Sequence, residues 1–380
     1  TKEQLEDGRR MGKEANKAGL FLAGIDYREE CPKVCYRTEQ MREPQPLPLD
    51  FGGETGRGAC FRRILSALRR YGRKEALRTA VILPELSEEG IRRCIKEACE
   101  AGFSEDRLSV MGETESVAHF VMHQTGDIWQ QKVWLLEFGA EEVKASSIEV
   151  NKRTVPMVVK AEEPEYWHTG SLADGNRDER LVRYVKERFG RERVSAVFLT
   201  GTDLNAGDYP KSREEICFRR RVFLGDQIHA RGACMAAGEA PGERPYLYLG
   251  EQTLLYNVGI RSSRGGTEEI YTIVDAGVNW YEANGSCEVL LLEEPLLEFS
   301  FQSMLGGEPI RGGMMLSDLP GRPEGACRLL VEVHFPAPAQ CEIKVTDLGF
   351  GELYPSSDLY WIESFVLEEA DKGSSIHLLI

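Results

Sequence analysis

A chain of 380 residues is long enough for two ordinary domains, each with a sizeable core. Its 42% hydrophobic, 29% charged and 9% aromatic residues are those of a soluble globular protein, which excludes disordered and collagen-like classes; no apolar run approaches the roughly 20 residues a bilayer requires. The formal net charge of −15, from 47 basic and 62 acidic residues, argues against a protein that coats nucleic acid by counterion release.

Residues 1–19 are polar, lack an apolar face and read as a tail or expression remnant; the chain starts at Thr1 rather than a methionine. Leu20 to Tyr27 (LFLAGIDY) predicts a buried strand, followed by a turn and a second strand near Val34 to Tyr36. Pro44 to Gly58 reads as a linker, and its GGETGRG lacks the lysine of a Walker loop. Phe61, Ile64, Leu65, Leu68 and Tyr71 then recur at helical period. TAVILP (Thr79 to Pro84) predicts a strand, followed by a helix with Ile91, Cys94, Ile95 and Ala98 inward. RLSVM predicts a strand feeding the helix GETESVAHF, and VWLLEF with KASSIEV a hairpin. A helix carrying Leu181, Val182, Val185 and Phe189 precedes the strand VSAVFLT, with helical segments continuing to about Glu239. Arg219, Arg220 and Arg221 read there as a solvated helix face.

From about Asn257 to Leu367 helical periodicity disappears. EEIYTIV, CEVLLLE, LLEFSFQ, CRLLVEVHF, CEIKVTD and LYWIESFVL are separated by Gly, Pro and Asn turns, the pattern of an antiparallel β-sandwich. The expected organisation is a tail over 1–19, a mixed α/β domain over 20–241, a linker over 242–256 and a β-sandwich over 257–380. Ten cysteines match no paired CxxC zinc spacing and no signal peptide is visible, so they read as reduced thiols of a cytoplasmic protein. His119 and His123 have i, i+4 metal-ligand spacing but no HExxH glutamate, and read as packing or surface residues. No G-x-S-x-G elbow or Cys–His arrangement occurs. Trp280, Tyr281, Tyr360 and Trp361 read as core or strand-pairing residues rather than a cofactor site.

Five segments, in order, resemble the actin-like ATPase (ribonuclease H-like) fold shared by Hsp70 chaperones, actin and sugar kinases. Gly24-Ile25-Asp26 with its hairpin resembles a first phosphate loop, and AVILPELSEEGIRRCIKEACEAGF the strand and helix before the connecting motif. Gly112 to Ala118 resembles the connecting motif itself, and LLEFGAEEV the second phosphate hairpin. VFLTGTDL with GDQIHARGACMAA resembles the adenosine motif and closing helix. GGMMLSDLPGRPEGACRLLVEVHFPAPAQCEIKVTDLGFGE is similar to the late strands of the Hsp70 peptide-binding domain, so the resemblance spans roughly residues 20–355. Glu137 and about sixty residues lead to the adenosine motif, and about fifty separate Asp26 from TAVILP, so the lobes that clamp nucleotide look reduced.

The resemblance implies Gly24, Asp26, Gly139, Gly201 and Asp226 as nucleotide-binding positions, Asp26 and Glu137 as the metal side, and Asp26, Glu113 and Glu137 as the catalytic set of an active member. The departures argue against activity. Arg28-Glu29-Glu30 replaces Gly-Thr-Thr, Ala140-Glu141-Glu142 replaces Gly-Gly-Thr, and Lys144 stands near an acidic position. Four carboxylates then face the expected polyphosphate, each pair at about 4 Å repelling by ~1 kcal/mol in water and ~4 at an effective dielectric of 20. Several such pairs exceed the ~8 kcal/mol of micromolar binding; Arg28 offsets only part. The expectation is an Hsp70-like pseudo-ATPase that binds a protein or peptide partner, without nucleic acid or membrane. No cofactor is expected beyond weak ATP, ADP or Mg²⁺ binding, and retained residues serve turn geometry and helix capping. The alternatives are a divergent Mg²⁺-dependent ATPase or kinase and a structural assembly component.

Overall fold

The computed structural model describes residues 20–53, 56–171, 175–202, 204, 209–239, 244–292 and 294–367. The tail over 1–19 and residues 242–243 of the expected linker lie outside the described residues. The chain divides into two compact units, Thr1–Gly250 and Glu251–Ile380. No described helix is long and apolar enough to cross a membrane, and all ten cysteines are free thiols.

The first unit opens with β1 (Phe21–Asp26), buried along its whole length as its unbroken apolar run requires. Strands β2 (Lys33–Thr38) and β3 (Gln45–Pro46) continue antiparallel from it. Helix α1 (Arg57–Leu68) buries Phe61, Ile64, Leu65 and Leu68 and leads to β4 (Leu77–Ile82), parallel to β1. Helix α2 (Glu88–Ala101) starts at Ser87, whose hydroxyl accepts from the Gly90 amide at 3.2 Å, and ends at Gly102, φ 105°. Strand β5 (Leu108–Met111) pairs parallel with β4, and α3 (Glu113–Met122) follows. The sheet order is β3-β2-β1-β4-β5.

The same topology then recurs. Strands β6 (Lys132–Phe138), β7 (Glu142–Asn151) and β8 (Met157–Ala161) run antiparallel in sequence. A short β9 (Glu165–His168) pairs with β7, and α4 (Arg177–Phe189) crosses to β10 (Val194–Thr200), parallel to β6. Helix α5 (Pro210–Cys217), β11 (Arg221–Leu224), α6 (Ile228–Ala236) and β12 (Tyr246–Leu249) complete the unit. The order β11-β10-β6-β7-β8-β12 contains the first sheet's arrangement with one strand added. Two expectations are corrected here. Arg219–Arg221 lie on a turn and edge strand rather than a helix face, because α5 stops at Cys217. Part of the supposed linker is β12, whose alternate Tyr246 and Tyr248 are buried in the core under α3.

The second unit holds two four-stranded antiparallel sheets. One comprises β13 (Tyr256–Arg264), β14 (Thr267–Val274), β16 (Leu296–Ser303) and β17 (Ile310–Met315), ordered β14-β13-β16-β17. The other comprises β15 (Gly285–Leu291), β18 (Cys327–Ala337), β19 (Gln340–Gly349) and β20 (Tyr360–Val366), ordered β15-β18-β19-β20. Alternate residues of β18 and β19 are buried, and Phe299 and Phe301 meet Phe365 across the sheets at 6.0 and 5.1 Å.

Candidate functional site: a closed ion cluster between the two repeats

Three carboxylates meet here, two of them at the ends of the equivalent strands β1 and β6 and the third at the start of a helix. Asp26 closes β1, Glu113 opens α3 and Glu137 lies near the end of β6. Helix α6 completes the site because it approaches α3 very closely. A Cβ on Gly232 would lie 1.9 Å from the Ser116 carbonyl oxygen, so only glycine permits this crossing. The approach seats His229 beside Ser116, Glu113 and Glu137.

The guanidinium of Arg28 occupies the centre. Its Nε and Nη2 donate to the two Asp26 oxygens at 2.9 Å each, while Nη1 donates to Glu113 Oε1 and lies 3.6 Å from Glu137 Oε1. Lys144, opposite Glu137 in the β6–β7 register, donates to Glu113 Oε2. Glu137 Oε1 lies 3.0 Å from His229 Nε2. Five of the six carboxylate oxygens are therefore engaged, and the sixth, Glu137 Oε2, is buried without a hydrogen-bond partner.

Burial alone would raise the Asp26 carboxyl, but the hydrogen bonds and charge of Arg28 outweigh it and hold the group below its ordinary range. Burial likewise pushes Glu137 up, and His229, Arg28 and Lys144 together bring it down to about 2. Arg28 gains further affinity for its proton: desolvation opposes the charge, and Asp26, Glu113 and Glu137 more than restore it. Ser116 has one hydroxyl hydrogen, which it donates to the Glu113 carbonyl at 2.6 Å, so its oxygen accepts from His229 Nδ1 at 3.0 Å. His229 Nε2 then faces Glu137 Oε1. The Ser–His–Glu sequence resembles a nucleophile relay, but Ser116 is fully buried and bonded inside its own helix, so no substrate carbonyl can reach it.

Glu113, Glu137 and His229 are the one group among the described residues whose donors lie close enough to share a metal ion. Asp26, expected beside Glu137 on the metal side, instead spends both oxygens on Arg28. These residues do not fit a Mg²⁺–nucleotide: a hard dication needs several free oxygen ligands, and only Glu137 Oε2 is free. The expected repulsion from four loop carboxylates is also corrected. Glu29, Glu30 and Glu141 are exposed, Glu29 pairs with Lys33 at 3.0 Å, and Glu142 pairs with His168 at 3.2 Å.

The remaining expected positions serve packing. A Cβ on Gly24 would lie 2.1 Å from the Ala230 carbonyl oxygen of α6, so this glycine lets β1 and α6 touch. Gly201 abuts the Phe138 backbone, and Gly139 donates its amide to the Glu142 carbonyl at 3.0 Å while accepting from Arg177. Asp226 is exposed and does not cap α6; its carbonyl accepts from Arg231 Nε at 2.9 Å. His119 is fully buried, its Nδ1 2.8 Å from the Tyr246 hydroxyl and 3.0 Å from Glu239, and His123 is half-buried. Ser116 and His229 lie inside the segments read as the connecting motif and the closing helix, but motif reading gave neither side chain a role.

A duplicated five-stranded topology with acidic residues meeting between the repeats is the coarse architecture of an actin-like ATPase domain. Residues 58–251, just over half of the chain, match the C-terminal family of unknown function DUF5716, and the chain belongs to that family. Residues 253–367 match a domain of unknown function, DUF8552. No curated protein matches the chain. Among solved structures, component A of (R)-2-hydroxyglutaryl-CoA dehydratase from Acidaminococcus fermentans is 11% identical, covering 57% of this chain and 97% of its own, with a TM-score of 0.36. The polyphosphate/ATP-glucomannokinase of Arthrobacter sp. strain KM is 12% identical over 58% of this chain and 98% of its own, with a TM-score of 0.37. The ROK hexokinase of Thermus thermophilus is 11% identical over 57% and 98%, with a TM-score of 0.35.

Proposed function

We propose that the chain is a non-catalytic, actin-like binding module, in which an internal ion cluster stands where a magnesium–nucleotide would sit and a protein or peptide is the partner. The observation that supports this is the engagement of five of six site carboxylate oxygens, four of them by Arg28 and Lys144. An incoming Mg²⁺ would have to desolvate itself and expel at least one paired cation, because Glu137 Oε2 is the one site carboxylate oxygen not already engaged. The Hsp70-like character of the second unit belongs to the same reading. Among the described residues β14 is an edge strand that exposes Ile270 and Tyr271, and an extended segment could pair there.

The competing reading, a Mg²⁺-dependent ATPase or kinase using Asp26, Glu113 and Glu137, requires Arg28 to leave the site. A thermal-shift titration with ATP, ADP and Mg²⁺ separates the two. Native-state binding adds RT ln(1 + [L]/Kd), about 2.7 kcal/mol at one hundred times Kd. We expect no shift at millimolar nucleotide; Mg²⁺-dependent turnover lost in Asp26→Asn would refute the proposal.

A further inference from the structure

We propose that the outer edge of β11 docks an acidic, extended segment of a partner protein, which joins the sheet as an added strand. This names the partner chemistry for the binding module above and rests on that reading. Strand β11 is terminal: its backbone pairs with β10 on one side, and among the described residues no strand pairs with the other. Natural edges are commonly covered or kept polar, because unpaired amides and carbonyls invite a further strand. Here the edge carries apolar side chains instead. Leu224 is 76% exposed and Phe223 37%, while Phe218, in the turn just before the strand, is 59% exposed.

Charge decides the occupant. In a chain of net charge −15, this edge is entered through three consecutive arginines. Arg220 is committed to the fold, donating to the Glu215 and Phe189 carbonyls and stacking on the Phe189 ring. Arg219 lies over the Phe218 ring and forms no ion pair among the described residues. It holds φ 58°, a conformation that costs a non-glycine residue energy, and it is exposed. Arg221 pairs with Asp127, but both side chains are about half exposed, so solvent screens the pair and it exchanges readily. Arg219 and Arg221 are therefore available to a carboxylate arriving with a strand. Pairing β11 with a second copy would bring the two arginine runs within about one Debye length, which disfavours that occupant.

The probe is a fluorescein-labelled peptide of about eight residues alternating Glu and Val, titrated into the full chain by anisotropy. Saturable binding is expected, weakened ~10-fold or more by Arg219→Glu and separately by Leu224→Glu. Both positions are exposed, so each variant should melt as the wild type does. The amides of Val222 and Leu224, which alternate with the Gly225 amide bonded to Leu199 and so face the open edge, should also become protected from hydrogen exchange when the peptide binds. Equal binding of a Lys–Val peptide, preferential binding of a single-stranded oligonucleotide, binding without amide protection, or no binding would each overturn the proposal. Nucleotide titration of the same variants is read separately: a nucleotide response would refute the inert-cluster reading and leave the β11 result standing on its own.

Discussion

Replacing Arg28 with alanine removes the central cation and leaves Asp26, Glu113 and Glu137 with Lys144 as their nearby full positive charge. Breaking a buried ion pair from one side costs about 3–5 kcal/mol. The Arg28 side chain is 19% exposed, which places the expected loss at the lower end, about 3 kcal/mol. For a unit of this size that lowers Tm by about 6–12 °C. The variant also opens a vacancy lined by carboxylate oxygens, so it should acquire an affinity for divalent cations that the wild type lacks. With 10 mM Mg²⁺ or Mn²⁺ and a site of roughly 1 mM Kd, the recovery is about 1.4 kcal/mol, or roughly 3–6 °C. Scanning calorimetry of both proteins with and without the cation reads both effects. An Arg28→Ala protein as stable as the wild type, or a wild type that gains as much from the cation as the variant, would refute the reasoning.

Two further outcomes follow from buried charges elsewhere. Asp347 accepts both arms of Arg322 at 2.6 and 2.7 Å together with the Gly349 and Ser357 amides, and Arg322 holds its carboxyl well below the ordinary range. Asp347→Asn should therefore cost about 3–5 kcal/mol and speed amide exchange in β18 and β19. Burial pushes the His119 imidazole down, but Glu115 and Glu239 outweigh it and raise its pKa above 6.5. A raised folded pKa contributes stability that is full below the unfolded value and is lost as pH rises through the folded one. In urea unfolding, the stability gap between wild type and His119→Gln should narrow as pH rises above the ordinary imidazole range; a gap independent of pH would contradict this.

The elements legible in the sequence are those whose pattern is local. FLAGID, LRTAVI, LSVM, KVWLLEF and VSAVFLT are largely apolar runs whose central residues are mostly buried, and they became β1, β4, β5, β6 and β10. Strands β9, β13 and β17 gave weak signals because they are short or interrupted by polar residues and glycine. In the site, motif order placed Asp26, Glu113 and Glu137, which the structure brings around one guanidinium. It could not reveal the role of Arg28, whose bond to Glu113 spans 85 residues. His229 was hidden for the same reason. Its neighbours follow from the α3–α6 crossing, and the requirement that Gly232 lack a side chain is visible only once both helices are in place.

The two basic departures, Arg28 and Lys144, are on this reading one change rather than two. Both end on Glu113, one on each oxygen. Together they supply the two positive charges that a bound dication would have brought to the same carboxylates. Burying Asp26, Glu113 and Glu137 without that charge would be costly, since each like-charged pair repels and each ion loses hydration. Under the proposed function, the acidic residues can persist without holding a metal, because the arginine and lysine depend on them in turn. Neutralising one carboxylate alone leaves a buried cation without its partner, just as removing Arg28 strands the carboxylates. The cluster is thus held together by mutual compensation, and retained acidic motif residues in such a chain are no argument by themselves for retained chemistry.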